Sequence, residues 1–193
     1  ALTTLMLELT LVRVFDIIWY SNMAYMVITL AMFCFGLSGV YSSIYPIKDD
    51  TKVRFYLSLL AALLGITALC ILPSLNLLPF NFKLLYREPQ KGMVYFLIMY
   101  FMLALPFFVS GLAFTIIFSK FSQRMQALYC WELVGAAIGC VILVPLLPPI
   151  GPGGLLFLAC GLGFFASALF AENRNWSRVA LVIGVGIIVV PFF

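Results

Sequence analysis

Residues 55–79 read FYLSLLAALLGITALCILPSLNLLP, 25 consecutive positions without a charged side chain. A hydrocarbon core roughly 30 Å thick takes about 20 apolar helical residues per crossing, so this stretch is long enough to traverse a bilayer. Working outward from it, we read crossings at about 1–20, 23–45, 55–79, 93–118, 127–149, 153–171 and 178–193, the first and last incomplete. Almost every charge falls in the short gaps between them. Transmembrane barrels need strands of about 10 residues with two-residue alternation, which these segments lack. Helices remain as the structure that satisfies its own backbone in lipid. The expected fold is therefore all-α: a polytopic transmembrane helical bundle of about seven crossings, forming a single domain over residues 1–193.

The composition points the same way. The chain is 65% hydrophobic and only 9% charged, with a mean hydropathy of +1.17, and no soluble domain fits inside it. Its net charge of +4 is small and spread over several loops, which argues against a nucleic-acid partner. Histidine is absent, removing the commonest metal and haem ligand and the usual proton shuttle. No cofactor, haem or zinc is expected. Cys34, Cys70, Cys130, Cys140 and Cys160 lie inside apolar stretches without C-x-x-C spacing and read as buried small apolar residues. The sequence begins at Ala1 within one apolar run and stops at Phe193 within another, with no signal-peptide pattern. We read it as a fragment, or the ordered part, of a longer polypeptide.

Orientation follows from the basic residues. Lys48, Lys52, Arg54, Lys120, Arg124, Arg174 and Arg178 fall on one face, against Lys83, Arg87 and Lys91 on the other. The positive-inside rule then places the loops of Lys48, Lys120 and Arg174 in the cytoplasm. The connections, Ser21-Asn22 and residues 46–54, 80–92, 119–126, 150–152 and 172–177, are short enough to make consecutive helices antiparallel neighbours. Residues 81–92 mix Phe82, Leu84, Leu85 and Tyr86 with charges and read as a loop with aromatic anchors, the alternative being an interfacial segment. Ser38-Gly39 followed by Lys48 and Lys52 recurs 72 residues later as Ser110-Gly111 followed by Lys120 and Arg124. Parallel repeats of that kind occur in transporters, though four matched positions also arise by chance.

Four ionisable side chains lie inside the crossings. An ionised group at bilayer depth costs several kcal/mol unless paired or hydrated, so each marks a site or a packing lock. Arg13 and Asp16, three residues apart, can meet on one helical face. Glu8 lies about 140° round from Arg13 and needs a partner from another helix. Glu132 stands near the start of the fifth crossing. The candidate intramembrane polar site is Glu8, Arg13, Asp16 and Glu132, read either as charge pairing that fixes the helix arrangement, which we favour, or as a cation or proton site. Gly135, Ala136 and Gly139, with Gly161, Gly163 and Ser167, form small-residue faces that let helix backbones approach. Pro106 and Pro145 are expected to kink their helices.

Other motifs carry less. Gly151-Pro152-Gly153-Gly154 reads as a turn between helices, without the strand or spacing of a phosphate-binding loop. Asp49-Asp50 reads as a solvated pair. Asn175-Trp176-Ser177 matches a glycosylation sequon that the charge count places inside, with no role assigned.

The stretch Pro106–Leu147 contains PFFVSGL, the basic turn KFSQR and LYCWELVGAAIGC. It resembles the membrane domain of spermidine synthase-like proteins, in which a polytopic region precedes an aminopropyltransferase-like domain. Glu8, Arg13, Trp19-Tyr20 and the run to Gly39 look like that family's first two helices. Two departures stand out: Asn22 occupies a position where histidine is frequent, and Glu132 one where aspartate is usual. Aminopropyl transfer would require a glycine-rich turn after a strand and acidic residues to hold a polyamine, neither of which occurs in this stretch. The chain therefore reads as the membrane half and not as an enzyme. The leading expectation is a non-catalytic domain or accessory subunit that anchors or scaffolds a larger membrane assembly or a fused synthase-like domain. Its partners would be the lipid bilayer and other membrane protein subunits. The alternative is a transporter of a small cation such as a polyamine, built on Glu8, Asp16 and Glu132.

Overall fold

The computed structural model describes residues 1–18, 21–45, 52–77 and 88–189. The elements are α1 (Leu2–Ile18), α2 (Ser21–Ile44), α3 (Val53–Leu77), α4 (Pro89–Lys120), a single 3-10 turn (Ser122–Arg124), α5 (Met125–Phe170) and α6 (Arg174–Val189), with no strand among the described residues. Pro89 opens α4 at the first helical position, where its missing N–H would have had no intrahelical partner. Ser21 and Asn22, expected in a link, are the first residues of α2. Trp19-Tyr20, Lys48, Asp49-Asp50, Lys83, Arg87, the aromatic residues of 81–87 and Phe193 lie outside the described residues.

Four helical segments among the described residues are long and apolar enough to cross a membrane: Tyr25–Ile44, Val53–Ser74, Pro89–Lys120 and Ser122–Phe170. By that measure the count is four, not seven. Two reasons account for the gap. At 17 and 16 residues, α1 and α6 are shorter than the others, and two of the expected crossings lie on the single element α5.

With 46 residues, α5 would extend about 69 Å if straight, more than twice the hydrocarbon thickness. It is not straight. Gly151 has φ 72° and ψ 171°, a backbone conformation essentially closed to residues with a Cβ. Ala1 locates the two arms relative to each other. A Cβ built on Gly135 would lie 3.5 Å from the Ala1 Cβ, and Ala1 also lines a cleft with Ala166 and Phe170. Residues about fifteen positions on either side of Gly151 thus return to one level, and α5 is a helical hairpin. The chain stays helical through Pro106 and Pro145, and the dihedral break inside α5 falls at Gly151.

The packing partners are α1 with α2 and α5, α2 with α4, α3 with α4 and α5, and α5 with α6. The core gathers Met6, Leu7, Leu11 and Phe15 of α1 around Leu30, Ile71, Leu103, Phe107, Leu155 and Leu156. The outer surface is apolar as well: Trp131 and Val182 expose 74% and 73% of their surface, beside Met32, Phe101 and Val141. In water such a surface would drive association; in hydrocarbon it is the solvated state. The cysteines divide accordingly. Cys34 and Cys160 are buried, but Cys70 and Cys130 are exposed, contrary to their expected burial, because apolar positions here occupy the outer surface as well as the core.

Basic residues gather at one end. Arg54 lines a cleft with Phe121, Leu169 and Ala171, so the start of α3, the end of α4 and the end of α5 meet there. Lys91 belongs to the opposite end of α4, where its ammonium contacts Glu88 at 2.7 Å.

Candidate functional site

The inner face of α1 is formed by Thr4, Met6, Leu7, Thr10, Leu11, Val14 and Phe15, all buried. Glu8 and Asp16 lie on its half-buried flank, and Arg13 is exposed. Among the described residues no ion pair joins Arg13 to Asp16. Glu132 is half-buried on α5, about one turn before Gly135, and so sits at the Ala1 level. Asp16 stands 15 residues further along α1 than Ala1, about 22 Å away at 1.5 Å per residue. Glu132, Glu8 and Asp16 therefore occupy three successive levels, and none of them lines any of five clefts formed among the described residues. The structure does not bring the four predicted residues together.

It brings hydroxyls together instead. Ser58 Oγ donates to the Ser167 carbonyl at 2.9 Å, Ser167 Oγ donates to the Ser58 carbonyl at 2.8 Å, and the two hydroxyl oxygens are 3.2 Å apart. Both side chains are buried. This reciprocal pair ties α3 to the second arm of α5. Three further buried hydroxyls turn back on their own helices: Thr10 to the Met6 carbonyl, Ser38 to Phe35 and Ser110 to Phe107. Among the described residues no buried side-chain N or O lacks a partner. The sequence places Ser167 on a small-residue face but carries no signal for Ser58, since a serine within an apolar run looks the same whether it faces a helix or lipid.

We predict that Ser58→Ala and Ser167→Ala, combined in a double-mutant cycle, show a coupling of about 0.5–1.5 kcal/mol, the range of interhelical hydrogen bonds in membranes. Thermal unfolding in detergent reads it, and strict additivity would mean that the two hydroxyls act independently.

Every predicted small-residue face meets a helix of the same chain. A Cβ on Gly139 would come 3.1 Å from the Leu2 carbonyl oxygen, so Gly135 and Gly139 seat the first turn of α1. A Cβ on Gly163 would lie 3.2 Å from the Gly65 nitrogen, next to the serine pair. Gly161 faces α6, where a Cβ would meet the Gly184 carbonyl oxygen at 2.8 Å and collide with Ile188. At the α2–α4 crossing, Gly111 receives Ser38, with the ring pairs Phe35–Phe114 and Tyr41–Phe108 on either side at 6.0 and 6.1 Å between centroids. The two halves of the apparent repeat thus touch each other.

These contacts define an apolar helical bundle closed by glycine approaches and one serine pair. No family model, no curated relative and no solved structure matches the chain.

Proposed function

We propose that the chain is a non-catalytic, multi-pass membrane domain that anchors or scaffolds a larger membrane assembly or a fused synthase-like domain. The observation that carries this reading is the separation of Glu132 on α5 from Glu8 and Asp16 at two further levels along α1, while the helix contacts are closed by Gly65–Gly163, Gly161–Gly184, Gly111–Ser38 and Ser58–Ser167. A cation pathway needs carboxylates converging on a hydrated cavity; a scaffold needs rigid helix contacts and an apolar exterior. Counting α1, α6 and both arms of α5 gives about seven crossings. The end that holds Arg54, Arg124 and Arg174 is then cytoplasmic by the positive-inside rule. The resemblance to spermidine synthase-like membrane domains supports the same role.

Purification from native membranes, followed by identification of co-purifying proteins, tests the proposal. The expected result is a stoichiometric membrane partner or a linked soluble domain. A monomer that accumulates labelled polyamine in vesicles, and loses that uptake in Glu8→Gln, would replace it with the small-cation transport reading.

A further inference from the structure

At the basic end, a cleft of about 630 Å³ opens between α3 and the α5–α6 turn, within the roughly 300–1,000 Å³ of small-molecule sites. Phe55 and Leu59 form one wall; Ala171, Glu172, Asn173 and Trp176 form the other. The second wall is braced. The Asn173 side-chain oxygen accepts the Asn175 N–H at 3.0 Å, and Ser177 Oγ donates to the Ala168 carbonyl at 3.0 Å, fixing the start of α6 against the end of α5. The interior is apolar, Glu172 is the charged residue among those that line it, and two arginines stand close by in the sequence or in the adjoining cleft. Glu172 is exposed and makes no ion pair among the described residues. Arg174 lies between two lining residues, and Arg54 lines the adjoining cleft, which shares Ala171.

An anionic lipid would meet Arg54 and Arg174 but also the Glu172 carboxylate. A choline headgroup has no N–H to donate to it. A primary ammonium can donate to Glu172 and lie against the Trp176 ring, while the phosphate of the same headgroup meets an arginine. Trp176 would also take the level at which tryptophan anchors to the membrane interface. We propose that this cleft binds one aminophospholipid of the phosphatidylethanolamine type, an acyl chain in the apolar groove and the ammonium at Glu172. The inference rests on the chain lying in a bilayer, as in the function proposed above.

Trp19→Phe with Trp131→Phe leaves Trp176 as the sole tryptophan. Reconstituted in vesicles with acyl-brominated phosphatidylethanolamine, phosphatidylcholine or phosphatidylglycerol at equal mole fraction, Trp176 should be quenched about threefold more by the first, the scale of one exposed ion pair. Glu172→Gln should abolish that preference. Equal quenching by all three lipids, any other order, or an unchanged preference in Glu172→Gln overturns the proposal. No quenching by any lipid would overturn the membrane reading as well. Should the tryptophan variants fail to fold, native mass spectrometry of the unsubstituted protein in a mixture of the three lipids should show one retained phosphatidylethanolamine, lost in Glu172→Gln. No retention, or retention of another lipid, counts against it.

Discussion

Gly161→Leu is expected to lower stability by about 3 kcal/mol or more, the upper range for overpacking a close-packed site. A single Cβ at this position would already approach the Gly184 carbonyl oxygen to 2.8 Å and collide with Ile188. The isoleucine end can rotate away; the carbonyl belongs to the α6 backbone and can only move with the helix. Leucine would therefore push α6 off the second arm of α5, and the Ser177–Ala168 hydrogen bond of 3.0 Å would be lost with it. The readout is thermal unfolding in detergent, together with protease sensitivity of α6. Ile188→Ala in the Gly161→Ala background should recover part of the loss and leave the part owed to the carbonyl. Full recovery would show that the side chain alone sets the spacing.

Gly111→Leu should cost about as much, because it acts on the α2–α4 crossing. A Cβ there would collide with Ser38 Oγ and come within 3.0 Å of the Ser38 Cβ and of the Phe35 ring. Ser38 is fully buried and donates to the Phe35 carbonyl at 2.7 Å, so it has no free space into which to rotate. The contact is reciprocal, and that makes it testable by exchange. Gly111→Ala should lower the unfolding midpoint, and Ser38→Gly added to it should restore most of the loss, as long as the extra glycine's backbone entropy, about 1 kcal/mol, is measured in the single variant. If Ser38→Gly does nothing for Gly111→Ala, the two positions are not packed against each other.

The two sites differ in how far the sequence disclosed them. Gly161 was legible as part of a small-residue face, because glycine spacing on a helix reports a close approach whatever the partner. The sequence did not name α6 as that partner. Gly111 was noticed for a different reason, as half of a repeat with Ser38, and the structure shows the two halves in contact. The turn at Gly151 was legible from Gly151-Pro152-Gly153-Gly154, since those residues disfavour a continuous helix and a positive φ suits glycine. The relative placement of the polar residues was not. Spacing alone could put Arg13 and Asp16 on one helical face, but it could not show that Arg13 is exposed, that Glu8 and Asp16 stand half-buried at different heights of α1, or that Glu132 belongs to α5 at the level of Ala1.

By itself, the sequence determined the helical class, the placement of most helix ends within a few residues, and the gathering of basic residues at one end. Those properties follow from local chemistry: an apolar segment of sufficient length must satisfy its backbone internally, and charges stay at its ends. The short connections already implied contacts between consecutive helices, as at α1–α2, α3–α4 and α5–α6; tertiary structure alone decided that α2 packs on α4 and that α1 and α3 pack on α5. In a chain whose outer surface is as apolar as its core, hydrophobicity no longer distinguishes inside from outside. The distinction passes to steric fit at Gly65, Gly111, Gly161 and Gly163 and to the hydroxyl pair Ser58–Ser167, none of which has a meaning until its partner is in place.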